Sequence, residues 1–234
     1  MDGIRSAARL AVTGPPRLGA VRLVAVDGPS GSGKTSLAAP LATAIAGLLG
    51  GRVVRPARRV DGAHPPGPSP LPGPSPLPGV TPVTGGVSED SSPALGGPVV
   101  SIVSTDLLAT WEEPLEWWPV LERHVLEPLA AGREASLPVV QWVSGHPRPG
   151  GTVLVPPVDV LVLEGVSSGR RAVADRLTVL VWVEVPDRAA RLERAVGRDG
   201  EAMRPFLVRW QDEEDAHFGA DRTRDRADVR VAPL

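Results

Sequence analysis

The sequence predicts a three-layer α/β domain: a mostly parallel β-sheet with helices on both faces. Apolar, β-branched runs alternate along the chain with helical stretches, the order that parallel strands with helical crossovers produce. Most of these runs are continuously apolar, as expected for strands covered on both sides. A length of 234 residues suits one such domain with a well-buried core and is short for two. The crossovers should be right-handed.

Residues 1–20 read as an N-terminal extension and 21–234 as the domain proper. The opening MDGIRSAARLAVTGPP holds no long apolar run able to serve as a signal peptide or membrane span. A cytoplasmic protein without a membrane partner is the expectation. VRLVAV at 21–26 reads as a buried strand, followed by a glycine-rich turn and an Ala/Leu-rich helix from Lys34 closed by Gly50 and Gly51. Pro40 should bend that helix. RVVR at 52–55 is a short second strand.

From Pro56 to Pro98 the chain turns to Pro, Gly and Ser, and GPSPLP at 67–72 repeats at 73–78. Two readings fit: a PxxP-type ligand for an SH3-like partner, or a disordered insertion on the domain surface. The second is favoured, because little here could repay the entropy of ordering. Strand pattern resumes with VVSIVS at 99–104, then a Trp/Glu-rich helical segment from Glu112 to Ala131. PVVQWV (138–143), DVLVLEGV (159–166) and LTVLVWVEV (177–185) are further strands. Helical stretches at 187–198 and 201–218 and a terminal DVRV complete the pattern.

A net charge of −2 argues against a dedicated nucleic-acid-binding protein. The absence of cysteine excludes disulfides and thiolate metal sites. Every basic residue but Lys34 is Arg. The one lysine falls in GPSGSGKTS, residues 28–36, where a compact ammonium fits a closely wrapped anion better than a planar guanidinium.

That stretch satisfies the GxxxxGK[ST] pattern through Gly28, Gly33, Lys34 and Thr35. It lies between an apolar strand and a helix, the context the pattern requires. Gly28, Pro29, Ser30, Gly31, Ser32, Gly33, Lys34, Thr35 and Ser36 are therefore the candidate ATP-binding loop of a P-loop NTPase fold. Its amides should cradle phosphates at a helix N-terminus, with Lys34 on the β/γ oxygens and Thr35 on Mg²⁺. Ligands of open α/β sheets gather beyond the carboxyl ends of the strands. Two acids fall there, Asp106 after VVSIVS and Glu164 ending DVLVLE. Either could bind Mg²⁺ or take a proton from an attacking hydroxyl, or serve only as a loop cap or solvated side chain.

GPSGSGKTSLA, STDLLATW, VLVLEGV and RAARLERAVGRDG together resemble the uridine kinase-like branch of the P-loop kinases, over most of the chain outside the insertion. The resemblance implies an aspartate base that activates the acceptor hydroxyl, and Asp106 matches it. It also implies an Arg-bearing lid over the phosphates, onto which Arg191, Arg194 and Arg198 map, the last two matching the motif best. Leu107 and Leu108 depart from the pattern, replacing an acid or aromatic residue that a sugar would contact. From spacing alone, the three arginines can share one helical face, either as that lid or as a salt-bridged surface with Asp187 and Glu193.

Trp111, Trp117, Trp118 and Trp142 could line an acceptor pocket or pack between helix and sheet. His64, His124, His146 and His217 show no metal-ligand spacing, and Glu213, Glu214 and Asp215 read as a solvated helix face. The expected function is transfer of the ATP γ-phosphoryl group to a hydroxyl of a small molecule, with uridine or cytidine first by resemblance. Two alternatives remain. One is a nucleotide-hydrolysing switch or motor, although the chain has no Asn for a guanine-reading NKxD motif and no LSGGQ-like signature. The other is a nucleotide-binding protein that acts through its proline-rich insertion without phosphotransfer.

Overall fold

The computed structural model describes residues 2–59, 96–143, 146–185 and 187–232. Helix α1 (Asp2–Thr13) precedes strand β1 (Arg22–Asp27), the phosphate-loop stretch and helix α2 (Lys34–Leu49). Strands β2 (Arg52–Val54), β3 (Ala57–Arg59) and β4 (Val99–Ser104) follow, then two short helices, α3 (Trp118–Leu121) and α4 (Glu127–Ala130), joined by a π-helical turn. Strands β5 (Ala135–Val143), β6 (His146–Val155), β7 (Val160–Glu164) and β8 (Leu177–Val183) come next. Helices α5 (Arg188–Asp199), α6 (Arg204–Asp221) and α7 (Thr223–Arg226) lead to β9 (Val229–Val231).

The main sheet has the order β2-β4-β7-β1-β8-β9, and each neighbouring pair is parallel. Its strands sort their side chains by the two-residue period. On β7, Val160 and Val162 enter the core under α1 and α2, whereas Leu161 and Leu163 face the core formed with α3, α4 and the β5–β6 hairpin. Burial on both faces explains why these strands read as unbroken apolar runs. Helix α1 belongs to the first face, with Ala7, Ala8 and Ala11 buried against the sheet. Among the described residues no helix is long and apolar enough to cross a membrane.

Two local expectations change, and the expected disturbance at Pro40 leaves its helix, α2, unbroken. Pro40 and Ser36 are both exposed, so the carbonyl freed by the missing N–H can turn to water. The expected helix from Glu112 to Ala131 starts only at Trp118, and it carries a π-turn over Glu122–Leu126. Finally, 138–143 does not join the parallel sheet: it is part of β5, which pairs antiparallel with β6, and β3 pairs antiparallel with β6 on the other side.

The sequence disguises β6 because Pro147 and Pro149 lie in it. The described part of β3 pairs with Thr152–Leu154, so neither proline lies opposite it, and a proline is tolerated in a strand where its missing donor faces away from the ladder. Residues 57–59, at the front of the Pro/Gly-rich stretch, are thus strand; the remainder of the expected insertion, 60–95, lies outside the described residues.

The packing of α1 yields a stability prediction. Ala8 is fully buried, so Ala8→Glu would place a carboxylate without a partner in the core. It should cost more than about 2 kcal/mol in urea unfolding, while Arg9→Glu on the exposed side should stay within about 0.5 kcal/mol.

Candidate active site

The loop between β1 and α2 is shaped by its glycines. Gly28, Gly31 and Gly33 all have positive φ, at 146°, 73° and 91°. Two of them also permit close approach. A Cβ on Gly28 would lie 2.7 Å from the Val183 carbonyl oxygen, and one on Gly31 would lie 2.6 Å from that of Arg191. No side chain caps the N-terminus of α2, so its first amides remain available to an anion. Lys34 is buried and donates from Nζ to the Pro29 carbonyl at 2.9 Å, while the buried Ser32 hydroxyl has no hydrogen-bond partner among the described residues. An ammonium parked on a carbonyl beside an orphaned hydroxyl and free amides is a donor set that fits a phosphate.

Sheet register assembles the acids. Ser104 of β4 and Val26 of β1 both align with Glu164 of β7, so the carboxyl ends of three adjacent strands sit level beside the loop. Thr35, in the first turn of α2, donates from Oγ1 to Glu164 Oε2 at 3.2 Å. Ser104 accepts from the Asp106 amide at 3.3 Å, and its side chain also bonds Glu164. Gly165 faces Thr105 so closely that no side chain would fit, which draws the loops after β4 and β7 together. Glu164 is buried and Asp106 exposed. Burial, then the neighbouring Asp106 charge, pushes the Glu164 carboxyl up to about 7, against the pull of Ser104, Lys34 and Thr35.

A hydroxyl and a carboxylate in contact, with a second carboxylate nearby, are the oxygen ligands that Mg²⁺ takes from a protein when water and phosphate complete its shell. Among the described residues no group of three or more His, Cys, Asp or Glu side chains is arranged to hold a metal unaided.

The three α5 arginines do not act alike. Arg191 is buried, donating to the Val185 carbonyl at 2.6 Å and lying 3.8 Å from Asp215 on α6. It braces the start of α5. Arg194 and Arg198 are exposed; among the described residues Arg194 bonds its own helix, at Ala190, and Arg198 pairs with Asp199 within the field of Asp106. The tryptophans divide as well. Trp117 is core, and Arg170 lies 4.4 Å over its ring. Trp111 meets Trp142 of the hairpin at 5.0 Å and Phe206 and Trp210 of α6 at 5.3 and 5.5 Å. Leu107 and Leu108 pack on the core, which accounts for the apolar residues after Asp106.

Two carboxylates of the site were not singled out by the sequence. Asp27 ends β1, is fully buried, and accepts from the amides of Gly28 (2.7 Å), Ser167 (2.8 Å) and Gly169 (2.8 Å). Burial pushes its carboxyl up to about 6, opposed by those amides and by Lys34. A charged residue closing an apolar strand was the available signal.

Glu214 corrects an expectation. It is not on a solvated face but fully buried, accepting from the Ser30 amide at 2.9 Å and from the Ser30 hydroxyl. Burial raises its pKa. Leu207, Gln211, Glu214 and Asp221 are the buried residues of α6, so helical periodicity placed Glu214 inward. Glu213 and Asp215 do face outward, paired with Arg209 and Arg188. A cavity of about 520 Å³ opens beside Pro29 and Trp182, but it contains neither Lys34 nor Asp106.

The raised Glu164 pKa has a measurable consequence. Its folded value of about 7 lies above the ordinary 4.5, so the folded state binds the proton more tightly. Stability is therefore complete below pH 4.5 and falls as pH rises to about 7, by up to about 3 kcal/mol. In chelator, Glu164→Gln should be more stable than wild type at pH 8 by denaturant unfolding, and the difference should shrink steadily toward pH 4.5.

No protein-family model and no curated protein matches the sequence. Solved structures do. A possible uridine kinase from Bacillus stearothermophilus superposes with a TM-score of 0.56 at 16% identity, covering 98% of this chain and 97% of that one. A protein from Silicibacter sp. TM1040, assigned provisionally as a fructose transport system kinase, superposes with a TM-score of 0.51 at 15% identity, covering 99% and 98%. The parallel six-stranded sheet and its flanking helices are therefore the α/β fold found in uridine kinase-like P-loop kinases.

Proposed function

We propose that this protein is an ATP-dependent kinase that transfers the γ-phosphoryl group to a hydroxyl of a small molecule. The observation that carries the reading is the level arrangement of the loop, Thr35, Glu164 and Asp106 at one edge of the sheet. It supports reading the loop as a phosphate cradle, with oxygen ligands for Mg²⁺ and an exposed carboxylate beside it, the parts that phosphoryl transfer requires. Lys34 and the loop amides hold the β- and γ-phosphates. Thr35, Glu164 and Asp106 are the residues that would hold Mg²⁺, which when bound offsets phosphate charge. Asp106 accepts the proton of the acceptor hydroxyl, and Arg194 and Arg198, without partners on the loop, supply positive charge from α5. Catalysis is then chiefly positioning and charge neutralisation.

The names of these two structural neighbours, a possible uridine kinase and a fructose transport system kinase, mention a nucleoside and a sugar. Both are alcohols, which supports the reaction class. Uridine and cytidine remain first among acceptors through the matched motifs, and the aromatic group of Trp111, Trp142, Phe206 and Trp210 is the candidate wall for such an acceptor. Such substrates are cytoplasmic, and we place the protein there.

The test is ADP release from MgATP across a panel of nucleosides, sugars and other alcohols. Acceptor-dependent release, with the acceptor recovered as its phosphate ester, supports the proposal. Release independent of every acceptor would replace it with hydrolysis, and nucleotide binding without release would replace it with a regulatory role. With the true acceptor in hand, Asp106→Asn should lower transfer roughly 10²–10⁴-fold while nucleotide binding persists. A rate largely restored by excess Mg²⁺ would make Asp106 a metal ligand rather than the base.

A further inference from the structure

The phosphate loop is already engaged by a carboxylate. Glu214 reaches from α6 to the amide and hydroxyl of Ser30, one of the nine loop residues, and it is fully buried there. The charge of Lys34 favours the ionised form of this carboxylate, and this is the same ammonium that a phosphate would draw away from the Pro29 carbonyl. Helix α6 is not alone in this contact. Arg188 of α5 bonds Gln211, Asp212 and Asp215 of α6, and Arg191 braces α5 toward Asp215. The backbone of Arg191 packs on Gly31, so the α5–α6 pair grips the loop at two adjacent residues.

We propose that Glu214 is a positioning residue that opposes triphosphate binding by holding Ser30, and so couples the α5–α6 pair to occupancy of the loop. The inference rests on the loop binding a nucleoside triphosphate, as argued above. An incoming triphosphate brings several negative charges into the neighbourhood of a carboxylate that cannot be screened by water, and it competes for the Ser30 donors and for Lys34. Binding then requires Glu214 to give up at least part of this support. Because α5 moves with α6 through the Arg188 pairs, that release repositions Arg194 and Arg198. The loop reports its occupancy to the helix that bears the exposed arginines.

The experiment is calorimetric titration of the full chain with MgATP and with adenosine, which carries no phosphate. Glu214→Gln keeps an acceptor for the Ser30 amide and removes the charge. Glu214→Met removes both and fills the same space, a replacement that buried charges often tolerate without loss of stability. Both variants should bind MgATP about tenfold more tightly than wild type, with adenosine unaffected. A purely structural anchor predicts otherwise: Gln neutral and Met weakened. Either unchanged or weaker MgATP binding in both variants overturns the proposal. If wild type itself binds no nucleoside triphosphate, the proposed function fails at that first titration, and this inference falls with it.

Discussion

One ammonium group balances three buried carboxylates. The charge of Lys34 favours the ionised forms of Asp27, Glu164 and Glu214, each of which burial pushes toward the neutral form. The deep part of the site thus carries more latent negative charge than positive charge to meet it. Uncompensated charge at low dielectric is costly, so the three acids must lean on hydrogen bonds instead. Asp27 has three amides, Glu164 has Ser104 and Thr35, and Glu214 has the amide and hydroxyl of Ser30. Those bonds fix the loop, the β7 turn and α6 with respect to one another.

The scaffold behind these contacts is stiff where the chemistry needs it to be. Strands β4, β7, β1 and β8 are paired in parallel and sealed on both faces, so the ends of the strands bearing Ser104, Glu164 and Asp27 cannot shift independently. The elements that reach over the edge are held differently. Helices α5 and α6 meet through exposed arginine–carboxylate pairs, which are individually weak, and a small three-residue apolar cluster lies beneath them. The helical pair is therefore joined within itself by exposed ion pairs and tied to the loop by the buried Glu214 and the backbone of Arg191.

Asp106 stands between the two parts. Its backbone is tied to Ser104 on the rigid edge, but its carboxylate is exposed and lies within the field of Arg198 on α5. The aromatic group around Trp111 joins the loop after β4, the β5–β6 hairpin and α6 on the same side. The antiparallel hairpin is therefore joined through the loop after β4 to α6 and does not extend the main sheet.

The sequence by itself determined the glycine-rich turn between strand and helix, the parallel sheet and the level of Asp106 and Glu164, because each depends on local pattern. Glycine spacing dictates the loop's backbone conformation, unbroken apolar runs require cover on both faces, and a residue following a parallel strand must lie at its carboxyl end. Tertiary structure alone decided what those residues meet. Pro147 and Pro149 concealed β6, which becomes a strand only through its antiparallel pairing with β5 and β3. Arg191, Arg194 and Arg198 share a spacing but not a fate, since only Arg191 has Asp215 and the Val185 carbonyl to receive it. Glu214 looked like its solvated neighbours because four acids in a row carry no record of which one turns inward; the face of α6 shared with Leu207 and Gln211, set against a loop 184 residues away, made that choice.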